Sequence, residues 1–225
     1  MRGAIFDLDG TLADTSGDLL AAANAVLGPS GLPLLDPVAD RSYAGRGGRA
    51  MIRRSLTISG RDPMAPGEMA LTDSLYPPLL EAYGAALAVQ TRLYDGVFEC
   101  LDRLEALGWK IGVCTNKPEG LALRLLDELD VGHRFGAILG ADTLPVRKPD
   151  PVHFTETATR IGAVPARSVM IGDTLNDLET ARNAGVPCVL TEFGFAAEPL
   201  ADLAPDAIVA AYHEIPDVLE GLSAA

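Results

Sequence analysis

From residue 96 onward, apolar and polar positions alternate between two spacings. Residues 97–107 place their apolar side chains on one helical face, and the apolar run WKIGVCT that follows ends at Thr115. The runs FGAILG, SVMIGD and PCVLT come later, separated by segments with helical spacing. Short apolar strands between amphipathic helices are typical of a parallel sheet covered on both faces. The run GAIFD near the start predicts a further strand of this sheet.

Residues 15–90 interrupt this alternation. The segments DLLAAANAVLG, GGRAMIRRSL and YPPLLEAYGAALA have helical spacing, and none of them predicts a strand. Pro77 and Pro78 favour a helix start or a kink over a helix interior. We therefore predict an α/β fold, in which residues 1–14 and 90–225 form a doubly wound parallel sheet and residues 15–89 form a small inserted helical domain.

Composition narrows the class of protein. A chain of 225 residues can bury a sizeable core. Its formal net charge of −13 makes nucleic acid and anionic membranes poor partners. No apolar run approaches the roughly 20 residues of a membrane span, and no secretion signal is seen at the start. The three cysteines are scattered, which fits reduced thiols in the cytoplasm better than disulfides or a zinc site.

Lysine is rare in this chain. Only Lys110, Lys117 and Lys148 occur, against fifteen arginines. Two of these lysines lie in short polar segments that follow apolar runs. A retained lysine indicates a position that needs a compact ammonium group. The biased composition explains the same distribution equally well.

Polar residues follow four of the predicted strands. Ligands of an open parallel sheet bind beyond the carboxyl ends of its strands. A single polar strand end is ordinarily only solvated, but four at one edge, rich in aspartate, threonine and lysine, indicate a site. The four groups comprise Asp7, Asp9, Gly10 and Thr11, then Thr115, Asn116 and Lys117, then Arg147, Lys148 and Asp150, and finally Asp173, Thr174 and Asp177.

These residue types favour phosphoryl chemistry. Asp7, Asp9 and Asp173 cannot all stay ionised side by side without a cation, and closely spaced oxygen ligands favour Mg²⁺. The Thr115 hydroxyl and the Lys148 ammonium are suited to phosphate oxygens. The two carboxylates of the first segment can then divide the work. Asp7 would attack phosphorus to form an aspartyl phosphate, and Asp9 would exchange protons with the leaving group and with water.

The segments FDLDGTLADT, TNKPE, RKPDP and GDTLND, in this order, resemble the four motifs of the haloacid dehalogenase superfamily. The resemblance covers nearly the whole chain and implies a Rossmann-like core with a helical cap. It also implies roles for individual residues. Asp7 is the nucleophile and Asp9 the acid and base, while Mg²⁺ is held by the Asp7 carboxylate, the Asp9 backbone carbonyl and Asp173. Phosphate is held by Thr115, Asn116 and Lys148, and Asp177 orients Lys148 or a metal-bound water.

Within the superfamily, AGRGGRAMIRRSL, TNKPEGLALRLLDEL and GADTLPVRKPDP resemble the phosphoglycolate phosphatases. This implies hydrolysis of 2-phosphoglycolate to glycolate and phosphate. Other sugar-phosphate phosphatases and a β-phosphoglucomutase-like phosphoryl transferase remain open, because they share the motifs. A receiver-like module that keeps its phosphate is a remote alternative. Asp9 argues against a dehalogenase, and the absence of lysine from residues 12–109 argues against a Schiff-base phosphonoacetaldehyde hydrolase.

Two arginines of the inserted domain are candidates for substrate binding. Arg46 and Arg49 flank two glycines, and they either lie in a solvated turn or meet the carboxylate of a small phospho-acid. The expected partner is a small phosphorylated substrate, without nucleic acid or membrane, for a cytoplasmic monomer or homodimer. The histidines are expected at the surface or at helix ends, and Trp109 in packing. The three histidines are His133, His153 and His213.

Overall fold

The computed structural model describes residues 1–197 and 199–223. Its contacts divide the chain into two compact units. One consists of Met1–Asp14 together with Arg92–Ala225, and the other of Thr15–Thr91. The first unit begins and ends the chain, and the second is inserted into it.

A six-stranded parallel sheet forms the centre of the first unit, in the order β5-β4-β1-β6-β7-β8. In register, Phe6 of β1 pairs with Val113 of β4 on one side and with Ile171 of β6 on the other. The carboxyl ends of these three strands are therefore neighbours in the middle of the sheet. The predicted α/β fold is confirmed. The strands are β1 Gly3–Phe6, β4 Lys110–Cys114, β5 Ala137–Leu139, β6 Ser168–Gly172, β7 Cys188–Thr191 and β8 Ala207–Val209.

Helices cover this sheet. Helices α7 and α8 pack side by side, and their Phe154 and Leu178 share a buried cluster with Ile5 and Met170 of the strands. Helix α5 packs against β4, and α10 packs against α5. All four residues of β1 are buried, as a strand covered on both faces requires. The helices are α5 Val97–Ala106, α6 Glu119–Glu128, α7 Pro151–Arg160, α8 Leu175–Ala184, α9 Leu200–Leu203 and α10 Ile215–Ser223.

The second unit is helical. Its helix α1 packs against α3 and α4, and α3 packs against α4. The buried Asp18 of α1 fastens the end of the unit, because its carboxylate accepts hydrogen bonds from the backbone of Gln90 at 3.0 Å and of Thr91 at 2.9 Å. The helices are α1 Ser16–Leu27, α2 Arg41–Ala44, α3 Gly48–Ile58 and α4 Pro66–Ala85.

Of the two positions predicted for Pro77 and Pro78, a helix start or a kink, the helix start is wrong. Helix α4 begins at Pro66, a position that proline favours because the first amide of a helix has no partner within it. Pro77 and Pro78 lie inside the helix. They remove only two amide donors. The helix continues past them because Leu79 and Tyr83 are buried.

A second, very short sheet lies where the chain leaves the first unit and returns to it. Strand β2, Ala13–Asp14, pairs antiparallel with β3, Arg92–Leu93. The sequence did not predict this pair. A strand of two residues carries no alternating pattern, and the pairing joins positions almost eighty residues apart.

Within residues 1–197 and 199–223, no helix combines the length and the apolar character needed to cross a membrane.

Trp109 is buried directly before β4, which confirms its packing role. Its indole nitrogen donates to Glu220 at 2.8 Å, so the packed ring also has its polar group satisfied.

The histidines are expected at the surface or at helix ends, and His153 does lie at a helix end but not at the surface. This residue lies in the first turn of α7 and is fully buried, with Nε2 3.1 Å from the carbonyl oxygen of Gly140. Burial, and after it the positive charge of Lys148, lowers the pKa of His153 from its ordinary 6.5 to about 4. Helical spacing explains the placement, because Phe154 and Thr157 of the same helix are also buried.

His153 should therefore weaken the fold in acid. Below pH 6.5 the unfolded chain gains a proton here that the folded protein takes up only near pH 4. The stabilising contribution is complete above pH 6.5 and is lost as the pH falls through this window. In His153→Gln, whose amide can still donate to Gly140, urea titrations from pH 7 to 4.5 should show a loss of unfolding free energy smaller by about 1–2 kcal/mol than in wild type. Equal slopes for the two proteins would contradict this assignment.

Candidate active site

The turn after β1 brings the first two aspartates to the sheet edge. The Asp7 amide still follows the strand, donating to the Ile171 carbonyl at 2.8 Å. The chain then turns through Gly10, which has a φ of 81°. A Cβ at Gly10 would lie 2.2 Å from Oδ2 of Asp173, so a larger residue would displace that carboxylate. Glycine is needed here both for the backbone angle and for the close approach.

Lys148 is buried between two aspartates. Its ammonium lies 3.0 Å from Oδ1 of Asp7 and 2.6 Å from Oδ1 of Asp177. Burial alone would lower the pKa of Lys148, but the charges of Asp177 and Asp7 outweigh it and raise this pKa above its ordinary value. The lysine therefore stays protonated and offers a fixed positive charge beside the end of β1.

Hydrogen bonds fix the two aspartates that follow β6. Asp177 belongs to a capping box at the start of α8, where its Oδ2 accepts from the Thr174 amide at 3.1 Å and from the Asp173 amide at 3.2 Å. Asp173 accepts from the Thr11 hydroxyl at 3.1 Å and from the Phe195 amide at 2.6 Å. Neither carboxylate can turn away without losing these partners.

Asp7, Asp173 and Asp177 form an acidic cluster, with one carboxylate oxygen of each within 4.8 Å of the others. Burial raises the pKa of Asp7 to about 6 despite Lys148, and burial together with the charges of Asp177 and Asp7 raises the pKa of Asp173. Three carboxylates face one ammonium, so an ionised cluster carries a surplus of two negative charges. The donors are all hard oxygens. This set fits a hard divalent cation.

Asp9 lies outside that acidic cluster. Its Oδ1 accepts a hydrogen bond from Lys117 at 2.8 Å. The predicted metal set contains Asp9 through its backbone carbonyl, which stays a prediction, and its side chain contacts Lys117. The cluster includes Asp177, which the sequence assigned to orienting Lys148 or a water. Asp177 does contact Lys148 directly.

The two candidate phosphate-binding residues that follow β4 are placed differently from each other. Thr115 is buried, and its hydroxyl accepts from the Lys117 amide at 3.2 Å. Asn116 is exposed, and its amide donates to the Lys148 carbonyl at 3.0 Å. Asn116 therefore links the loop after β4 to the loop that carries Lys148.

Sequence reasoning missed two parts of this region. The first is the partner of Lys117, although the scarcity of lysine had marked the residue. The second is the loop after β7, which supplies the Phe195 amide to Asp173. A Cβ at Gly194 would lie 2.2 Å from the Asp173 Cβ, so this glycine allows the loop to approach. The only local signal for this loop was Gly194, which lies between two phenylalanines in EFGF.

The two candidate arginines lie in the helical unit. The Arg49 side chain donates to Asp73 at 3.0 Å, and its guanidinium lies 3.8 Å from the centre of the Tyr76 ring. The Arg46 guanidinium lies 5.5 Å from the centre of the Tyr43 ring. Both cations are thus stacked on aromatic rings within their own unit, which restricts where their guanidinium planes point.

Comparison with known proteins adds to this geometry. A model of the haloacid dehalogenase-like hydrolase family matches residues 4–191. A phosphoglycolate phosphatase from Caulobacter vibrioides is 39% identical over 211 residues, which cover 94% of this chain and 87% of the relative. One from Mesorhizobium japonicum is 38% identical over 211 residues, covering 94% and 91%. The crystal structure of a predicted phosphoglycolate phosphatase from Haemophilus somnus superposes with a TM-score of 0.84 at 28% identity, covering 96% of each chain.

Proposed function

Because this chain belongs to the haloacid dehalogenase-like hydrolases, we propose that it hydrolyses 2-phosphoglycolate to glycolate and inorganic phosphate. As a member of that family with phosphatase relatives, it is a phosphoric monoester hydrolase. The observation that carries the proposal is the buried Lys148 ammonium, which lies within 3.0 Å of Asp7 and beside the acidic cluster. A nucleophile, a fixed cation and a metal-binding carboxylate set at one sheet edge match phosphoryl transfer.

In the first half of the reaction, Asp7 acts as the nucleophile. Its Oδ1 already accepts from the Leu8 amide at 2.7 Å and from Lys148, which leaves Oδ2 for phosphorus. A bond forms between Oδ2 and phosphorus as the bond between phosphorus and the ester oxygen breaks. Asp9 in its acid form gives its proton to that oxygen, and the alcohol leaves.

In the second half, water cleaves the aspartyl phosphate. Asp9, now a carboxylate, takes a proton from the water as its oxygen bonds to phosphorus. The bond between phosphorus and Asp7 breaks, which releases inorganic phosphate and restores both carboxyl groups to their starting states. Lys148 and the Thr115 hydroxyl are proposed to hold the phosphoryl oxygens through both halves, with Asn116 keeping the Lys148 loop in place.

The residues proposed to hold Mg²⁺ are Asp7, Asp173 and, through its backbone carbonyl, Asp9. Asp7 and Asp173 belong to the acidic cluster, which also contains Asp177. When bound, the ion neutralises phosphoryl charge and so permits attack by an anionic carboxylate. Phe195 and Thr11 keep Asp173 turned toward this position. We also propose that the enzyme works in the cytoplasm, since all three of its cysteines are free and buried.

The proposal for the far end of the substrate concerns Arg46 and Arg49. The carboxylate of phosphoglycolate needs a cation that does not already bind the phosphoryl group. The guanidinium groups of both arginines lie over tyrosine rings, which limits their orientations. An arginine can pair with a carboxylate through two parallel hydrogen bonds. The two residues are therefore proposed to select for substrates that carry a carboxylate.

A phosphate-release screen tests this function. We expect 2-phosphoglycolate to give the highest kcat/KM among sugar phosphates, nucleotides and pyrophosphate. Chelation should abolish turnover and Mg²⁺ should restore it, with a higher Mg²⁺ requirement in Asp173→Ala.

In the same screen, kcat/KM of Arg46→Ala and of Arg49→Ala should fall about ten- to a hundredfold on phosphoglycolate and much less on p-nitrophenyl phosphate. Full activity in excess chelator would contradict the metal assignment. Equal losses of the arginine variants on both substrates would contradict the carboxylate assignment. Transfer of phosphate to a second sugar phosphate would indicate a phosphoryl transferase instead.

A further inference from the structure

Lys117 is the second lysine at the sheet edge, and the chemistry above gives it no task. Its side chain is only 3% exposed, and its ammonium lies 2.8 Å from Oδ1 of Asp9. The Asp9 side chain is 18% exposed. The two aspartates of the first motif therefore contact different buried lysines, Asp7 contacting Lys148 and Asp9 contacting Lys117.

The backbone of Lys117 is held on both sides. Its amide donates to the Thr115 hydroxyl at 3.2 Å, and its carbonyl accepts from the Ala141 amide at 2.9 Å. Ala141 follows β5, so the loops after two neighbouring strands are tied together at this residue. A lysine on a fixed backbone delivers its ammonium to one place, although its stem is flexible.

Asp9 needs to be held because of what lies beside it. It is two residues from Asp7, which belongs to the cluster of three carboxylates that together fit a divalent cation. If Asp9 turned its carboxylate toward that cation, it would become a ligand and could no longer exchange a proton with substrate or water. The contact with Lys117 occupies Oδ1 and opposes this movement, while Oδ2 is left for the proton.

We propose that Lys117 is a positioning residue that keeps the Asp9 carboxylate out of the Asp7, Asp173 and Asp177 cluster and presents its Oδ2 for proton exchange. The inference rests on the proposed function, in which Asp9 is the acid and base. Lys117 acts through Asp9 and is not assigned a contact with the substrate.

The test compares Lys117→Met with Lys110→Met, which removes the exposed lysine at the start of β4. On p-nitrophenyl phosphate, the leaving group needs no proton, so the first nitrophenolate should appear within about threefold of the wild-type rate. Hydrolysis of the aspartyl phosphate does need Asp9, so steady turnover should fall about a hundredfold. Stopped-flow measurement of Lys117→Met should then show a burst equal to the enzyme concentration. Lys110→Met should behave as wild type.

On 2-phosphoglycolate both halves need Asp9, so kcat of Lys117→Met should fall about a hundredfold without a burst, and KM should change less than threefold. A purely structural role would lower activity on both substrates alike, without a burst. A role in holding substrate would raise KM about tenfold with kcat retained. Either result would overturn the proposal.

Chemical rescue supplies a second variant. Lys117→Cys treated with 2-bromoethylamine regains an ammonium at nearly the same reach. The native thiols compete poorly, because burial raises the pKa of Cys100 and of Cys114 to about 12 and raises that of Cys188 as well. Treatment with 2-bromoethylamine should raise kcat of the variant at least tenfold, whereas treatment with iodoacetamide should not raise it. No recovery in a protein shown by mass spectrometry to carry the group would overturn the proposal.

Asp9→Asn separates this inference from the proposed function beneath it. If Asp9→Asn hydrolyses 2-phosphoglycolate at the wild-type rate, the acid and base assignment itself fails. If Asp9→Asn is inactive while Lys117→Met behaves as wild type on both substrates, only the role of Lys117 fails.

Discussion

Asp7→Asn is expected to lower phosphate release by about 10⁴-fold or more on every substrate. The neutral amide is a poor nucleophile and cannot form an acyl phosphate. The substitution also removes one of three carboxylates from the acidic cluster and one of two charged partners from Lys148. Binding of the phosphoryl group is expected to persist, because Lys148 and Asp177 remain paired.

The measurement is phosphate release at saturating substrate, with trapping of the phosphoenzyme by acid quench as a second readout. Wild type should carry acid-quenched label, and Asp7→Asn should carry none. Asp130→Asn is the matched control, because Asp130 is exposed and has a φ of 53°, a conformation that asparagine adopts readily. Activity of Asp7→Asn within tenfold of wild type would refute the nucleophile assignment.

Lys148→Met is expected to remove activity and stability together. Activity should fall about 10³-fold, because the fixed cation beside the transferred phosphoryl group is lost. The free energy of unfolding should fall by about 3–5 kcal/mol in metal-free buffer, because Asp7 and Asp177 are left buried without their counter-charge. Urea titration and phosphate release measure the two effects separately.

The double variant Lys148→Met with Asp177→Asn separates the two causes. Asparagine removes the uncompensated charge at residue 177 but keeps an oxygen that can accept from the Asp173 and Thr174 amides. Stability should return by at least half of the loss, while activity should not return. If the single variant proves as stable as wild type, the ion pairs of Lys148 do not contribute to the fold as the distances indicate.

The core of the site follows from strand patterns. Continuous apolar runs predict β1, β4 and β6, and parallel strands place their polar ends at one edge. The structure accordingly brings Asp7, Lys148 and Asp173 together, although their motifs are far apart in the chain. The prediction succeeds for Asp7 and Asp173 because each directly follows a rigid strand, whereas Lys148 lies in the long loop after β5, which Asn116 holds through the Lys148 carbonyl.

The pairing of individual side chains at this edge of the sheet could not be predicted in the same way. Nothing near residue 9 or residue 117 indicates that Lys117 pairs with Asp9 rather than with Asp7, because the outcome depends on how two loops pack. The burial of His153 was missed for a related reason. A single polar residue at a helix start is ordinarily exposed, and the Gly140 carbonyl that satisfies Nε2 of this buried ring lies in another loop.

The two-residue sheet of β2 and β3 has a consequence for the ancestry of such chains. Asp14 and Arg92 are directly paired, and Cα atoms of antiparallel partners lie only about 5 Å apart. The two ends of the inserted residues 15–91 are therefore adjacent in space. If this segment is removed, a tight turn is long enough to join β2 to β3. Insertion, deletion or replacement of whole modules becomes as easy as changing a hairpin loop.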